Sequence, residues 1–172
     1  VLSLVIVLLG LAYVYGIRRN RERLFGWVFL LMLVESVAWA LVIWQFLPLL
    51  IRGIGASTAQ LGLSHDTLHS IALCLGAGFY EELFFRVFLV EGLLWLFTGF
   101  RYQKVRAVHI MMGWLVSALI FSGLHFVQEP FSWYAFVYRG VFGLIMSGVY
   151  LLRGFAIAAW AHALYDVAVL WL

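Results

Sequence analysis

Six apolar runs, near residues 1–17, 24–50, 70–98, 108–128, 131–152 and 155–172, take up most of this 172-residue chain. Each approaches or exceeds the length of about 20 residues that an α-helix needs to cross the hydrocarbon of a bilayer. The chain is 66% hydrophobic and 11% charged, whereas a soluble domain carries roughly 25% charge. The predicted fold is therefore all-α, a polytopic transmembrane helical bundle of about six spans. Its two prolines, Pro48 and Pro130, stand near the ends of apolar runs, where they leave helix interiors uninterrupted. Residues 52–69 form the one long connection, rich in Gly and small polar residues, with Ser64 and Asp66 as candidate N-caps for the third span. The chain thus divides into residues 1–69, holding spans one and two and this loop, and residues 70–172.

The basic residues set an orientation. Arg18, Arg19, Arg21 and Arg23 follow the first span, Arg101, Lys104 and Arg106 the third, and Arg153 the fifth, while the opposite side holds only Arg52. By the positive-inside rule the arginine-rich side is cytoplasmic, so residues 52–69 make an exoplasmic loop. The net charge of +3 resides largely in these short loops, which argues against nucleic acid as a partner. The bilayer is the expected partner, and a prokaryotic plasma membrane the expected location. The order of residues 1–16, apolar before the arginines, reads as a first span rather than a secretory signal. The single cysteine, Cys74, falls within a span and excludes an intrachain disulfide.

Ionisable groups inside the spans are costly, each worth on the order of 2.5–3.5 kcal/mol against insertion. They persist where they pair, face water or do chemistry. The third span holds Glu81, Glu82 and Arg86; the fourth holds His125, after Phe121; the sixth holds His162 and Asp166. Glu82 and Arg86 are four apart and share a helix face, the glutamate on the N-terminal side as an ion pair prefers. Glu81 is turned about 100° from Glu82 and points elsewhere. Two ionised carboxylates side by side repel, so an arginine that fixes one frees the other to exchange a proton, as a general base must. His162 and Asp166 also share a face, where a carboxylate orients an imidazole and selects its tautomer.

The ordered set Glu81-Glu82-x-x-x-Arg86, Phe121-x-x-x-His125 and His162-x-x-x-Asp166 resembles the motifs of the CAAX protease and bacteriocin-processing family of intramembrane endopeptidases, over roughly residues 70–170. Gly140, Gly143 and Gly148 of the fifth span and the Arg153-Gly154 turn are also similar. The chain departs from the family pattern at Asp166, commonly Asn, and at Val87, often Gly.

The resemblance implies that residues 70–172 are a catalytic core with its site between spans three, four and six. The implied activity is hydrolysis of a peptide bond in a membrane-associated protein, tail or leader without a covalent acyl-enzyme. Glu81 with His125 would hold and deprotonate the attacking water, and His162 and position 166 would stabilise the oxyanion. Glu82 and Arg86 would lock the geometry. An ionised Asp166 cannot donate to an oxyanion and would instead orient His162.

No cofactor is expected. A zinc-dependent version, with two histidines and a carboxylate as ligands, is the alternative, although the chain lacks a His-Glu-x-x-His pairing. A proton-coupled carrier is a third reading, opposed by the absence of an inverted repeat. Convergence of the polar groups on one point would favour hydrolysis over a carrier's relay.

Counting from the cytoplasmic ends of their spans, Glu81 and His125 both lie roughly 25 Å deep, toward the exoplasmic half, whereas His162 comes out roughly 10 Å deep. The mismatch requires either a sixth span that starts deep or a different orientation. An exoplasmic site suits leader- or sorting-signal-bearing substrates better than prenylated cytoplasmic tails. Of the remaining charges, Glu35 or Glu91 is expected to pair with Arg139, or Glu35 and Arg139 to line the substrate path. His65 and His69 read as interfacial, as does His109, and the Trp and Tyr residues mostly as anchors.

Overall fold

The computed structural model describes residues 26–52, 67–99 and 106–171. The first predicted span, the Ser64 and Asp66 caps and His65 lie outside these residues. Two compact units are distinguished, residues 1–31 and residues 32–172; only 26–31 of the first are described. The described residues are helical and contain no strand.

Helix α1 spans Gly26–Ile51 and α2 spans Thr67–Glu82, continued by a π-helical segment Leu83–Val90 and by α3, Glu91–Phe97. Then come α4 (Ala107–Leu124), a 3₁₀ turn (His125–Val127), α5 (Trp133–Arg153) and α6 (Phe155–Trp171). Five of the six predicted runs therefore appear as helix within a few residues of their expected limits. Among the described residues, Gly26–Ile51, Ala107–Val127 and Trp133–Arg153 are long and apolar enough to cross a membrane, and Phe155–Leu170 is apolar but shorter. The run predicted over 70–98 is divided by its π segment.

The ends are set locally. The backbone N–H of Arg106 donates to His109 Nδ1 at 3.1 Å to start α4. Ser132 caps α5 by accepting from the Ala135 N–H, and α5 stops at Gly154, whose φ of 87° is left-handed.

Within the larger unit the polarity of a soluble protein is reversed. Leu41, Leu50, Leu68, Phe88, Met111 and Leu152 face outward, while Ser36, Glu82, Arg86, Ser117, Ser122, Ser147 and His162 are buried. Outward leucines cost nothing where the surroundings are lipid, and the polar groups gather where they can satisfy one another. The apolar core joins Ala40, Ile43 and Leu47 of α1 to Phe85, Phe121, Phe142, Met146, Ile157 and Ala161.

Two close approaches place the helices. A Cβ on Gly78 would stand 2.6 Å from Ala163 N and 2.8 Å from Ala159 O, so α2 and α6 touch almost backbone to backbone. A Cβ on Gly143 would meet Phe121 Cδ1 at 3.2 Å and Ala118 Cα at 3.3 Å, which draws α5 onto α4. At the start of α6 the ring of Phe155 packs edge-on against Phe79, 5.4 Å between centroids, one turn before Glu82. Arg153 just before it pairs with Glu35 of α1. The last helix therefore begins beside the middle of the α2–α3 run. His162, about two turns further on, meets Glu82.

Candidate active site

Glu81 and Glu82 are the last two residues of α2, immediately before the helix widens into its π segment. Such widened turns are rare and concentrate at functional sites. Here the Phe85 carbonyl within the segment accepts a hydrogen bond from Ser117 Oγ of α4 at 3.0 Å. The rotation between consecutive helical residues sends the two glutamates to different surroundings. The Glu82 side chain is fully buried and that of Glu81 is 31% exposed.

Glu82 uses both carboxylate oxygens. Oε2 lies 3.1 Å from Arg86 Nε, and Oε1 accepts from His162 Nδ1–H at 2.8 Å. Arg86 in turn donates from Nη2 to the Gly143 carbonyl at 3.3 Å, and its guanidinium lies 5.1 Å from the Phe121 ring centroid. A charged group buried this deeply is tolerable only when paired and hydrogen-bonded. This one is held by residues of α2, the π segment, α5 and α6.

The tautomers follow from the partners, since a carbonyl or carboxylate oxygen can only accept. His125 stands at the C-terminal end of α4, and its Nδ1 lies 2.8 Å from the Phe121 carbonyl. Nδ1 therefore carries the proton and Nε2 of the neutral ring is left with its lone pair. His162 Nδ1 is likewise committed to Glu82, and its Nε2 faces Asp166 Oδ2 at 3.5 Å and Glu81 Oε2 at 3.9 Å.

Glu81 and His125 line one cavity of about 240 Å³, together with Phe85, Leu124, Gln128 and Glu129. None of these six side chains carries a hydroxyl or thiol. Glu82, Arg86 and His162 stand behind it as a buried support. All six predicted site residues thus lie in one neighbourhood, drawn from the third, fourth and sixth predicted spans. Among the described residues, no group of three or more His, Cys, Asp or Glu side chains is arranged to hold a metal ion.

Several finer expectations need correction. The partner that fixes the His162 tautomer through Nδ1 is Glu82, whereas Asp166 faces the other nitrogen. Arg139 pairs with Glu129 at 2.7 Å, and not with Glu35 or Glu91. Glu35 is bound by Arg153, with a second contact of 2.7 Å from Nη2 to Oε2, and Glu91 accepts from Tyr150 Oη at 3.1 Å. Sequence reasoning overlooked Gln128 and Glu129 as cavity residues. Their signal was a polar pair one turn past His125 and just ahead of helix-breaking Pro130. It also overlooked Gly78, four residues before Glu82 on the same face, whose missing side chain lets His162 reach Glu82.

Comparison with known proteins gives a family. A family model described as type II CAAX prenyl endopeptidase Rce1-like matches residues 61–168, a stretch that contains all six of these residues. No curated protein and no solved structure matches the chain. The matched region covers well over half of the chain, which belongs to the type II CAAX prenyl endopeptidase Rce1-like family.

Proposed function

We propose that this protein is an intramembrane endopeptidase that hydrolyses a peptide bond of a membrane-associated protein with a water activated by Glu81 and His125. The observation that carries the reading is the shared cavity, which the partly exposed Glu81 carboxylate and the His125 imidazole both line. With no hydroxyl or thiol on its walls, that cavity offers water as the nucleophile. Convergence of acid and imidazole from separate helices also favours hydrolysis over a relay strung along a transport path.

In this reading Glu81 takes one proton from the water as its oxygen attacks the scissile carbonyl carbon, while His125 Nε2 holds the other hydrogen. The carbonyl π electrons move onto oxygen. As the tetrahedral intermediate collapses, the C–N bond breaks and Glu81 returns its proton to the departing nitrogen. His162 supplies positive charge or an N–H toward the oxyanion, a contribution worth about 2.7–4 kcal/mol per well-placed donor. Its Nε2 faces the Glu81 and Asp166 carboxylates. Glu82 and Arg86 keep the imidazole from turning. Asp166 acts here through charge on Nε2, a role an amide at this position would fill differently.

The test uses the full chain in liposomes with a pool of internally quenched, lipid-anchored peptides that includes a prenylated CAAX peptide. Glu81→Gln and His125→Ala are each expected to lower turnover by at least about 10²-fold while insertion and thermal unfolding stay unchanged. Wild-type turnover in either variant would end this reading. Cleavage of the prenylated peptide alone would assign the substrate class of the family name, and cleavage of unprenylated anchored peptides a broader one.

A further inference from the structure

The cavity contains a second carboxylate that the hydrolysis does not use. Glu129, about half exposed, lines it with Glu81, so the two carboxylates border one cavity of about 240 Å³. Left ionised and unpaired, Glu129 would oppose the charge that Glu81 must carry to act as a base. The cation that answers it is Arg139 of α5, whose Nη2 meets Glu129 Oε2 at 2.7 Å. The other nearby guanidinium, Arg86, is committed to Glu82 and to the Gly143 carbonyl.

Arg139 also grips the segment that carries His125. Its guanidinium lies 5.4 Å from the ring centroid of Phe126, the residue after His125 in the 3₁₀ turn His125–Val127. Phe126 packs in turn on Phe131 and Phe136, at 5.0 and 6.2 Å between centroids. Ser122 Oγ donates to the Phe136 carbonyl at 2.6 Å, which ties the end of α4 to the start of α5. One side chain thus holds the segment that follows His125 at two points, Phe126 by its ring and Glu129 by its carboxylate.

We infer that Arg139 is a positioning residue for the hydrolysis, clamping the turn that carries His125 and cancelling the charge of Glu129 inside the cavity where Glu81 works. The inference rests on the reading of Glu81 and His125 above. It separates two functions that a plain structural ion pair would not. Removing Arg139 loosens the turn and also leaves a second carboxylate beside the base. Removing both partners loosens the turn alone.

The experiment compares Arg139→Gln, Arg139→Lys and the double variant Glu129→Gln/Arg139→Gln with wild type, full chain in liposomes, on the same quenched lipid-anchored peptides. Arg139→Gln is expected to lower kcat by about tenfold to 10²-fold, the cost of a displacement of an ångström or less at the reacting centre, with KM changed by less than about twofold. Arg139→Lys, which keeps the charge and a cation over Phe126, should recover most of that loss. The double variant should regain several-fold in kcat over Arg139→Gln although it lacks the same ion pair.

Wild-type kcat in Arg139→Gln overturns the inference. So does a double variant no better than Arg139→Gln, since the pair would then act only as a brace. Should Arg139→Gln fail to fold, the double variant must fold for the charge argument to stand, and its failure too counts against it. Glu81→Gln and His125→Ala run alongside: if they are active the hydrolysis reading falls, whereas if they are inactive and Arg139→Gln is not impaired, this inference alone falls.

Discussion

Arg86 shows how a buried charge is held at the candidate site. It is wholly buried, yet it pairs with Glu82, reaches the Gly143 carbonyl and lies against the Phe121 ring. Replacing it with Met would leave the Glu82 carboxylate buried with only His162 to answer it. Removal of one member of a buried pair costs about 3–5 kcal/mol, and unfolding of Arg86→Met in detergent should show a loss of that order. Arg86→Lys should recover part of it, because a point charge cannot serve two acceptors and stack on a ring as a planar guanidinium does. Equal stability of wild type and Arg86→Met would show that Glu82 is held by other means. The pairing of Glu82 with Arg86 was legible from their four-residue spacing. The capture of His162 by the same carboxylate was not, because those residues are far apart in the chain and meet only through packing.

At the scale of helices, the site depends on how closely α2 and α6 approach. Gly78 leaves no room for a methyl group, since its Cβ would stand 2.6–2.8 Å from backbone and Cβ atoms of α6. Overpacking of this kind costs typically about 1–3 kcal/mol, and here it must also separate Glu82 from His162. Gly78→Ala is therefore expected to lose most activity while helix content by circular dichroism stays at the wild-type level. Ala163→Gly in the same chain should restore part of it, and full activity of Gly78→Ala would refute the close-contact argument. The π segment Leu83–Val90 is a second device at this scale. Apolar periodicity predicts helix across it, and a change of one backbone hydrogen-bond register leaves no mark in hydropathy. The cost of such a turn is met by neighbours, Ser117 among them.

For the larger unit as a whole, outward-facing apolar side chains with buried polar groups gathered among the helices are what a lipid solvent selects. The cavity opens beside residues 124–129, at the end of α4 opposite Arg106. The orientation proposed from the arginines places that end outside the cytoplasm. Ser64 precedes α2, outside the described residues, and belongs to the same proposed exoplasmic side. In a Cys74→Ala background, Ser64→Cys is expected to react with an impermeant maleimide added outside intact cells. Reaction only after the membrane is opened would reverse the proposed topology.

The sequence by itself determined that the chain is helical and lipid-facing, and it singled out the residues of the candidate site. Apolar length and four-residue spacing are local properties, written into neighbouring residues. Tertiary structure alone decided which carboxylate holds which imidazole, that Arg139 answers Glu129, and that the last helix begins beside Phe79. Those outcomes depend on the crossing of helices at Gly78 and Gly143, where close packing joins residues from distant parts of the chain.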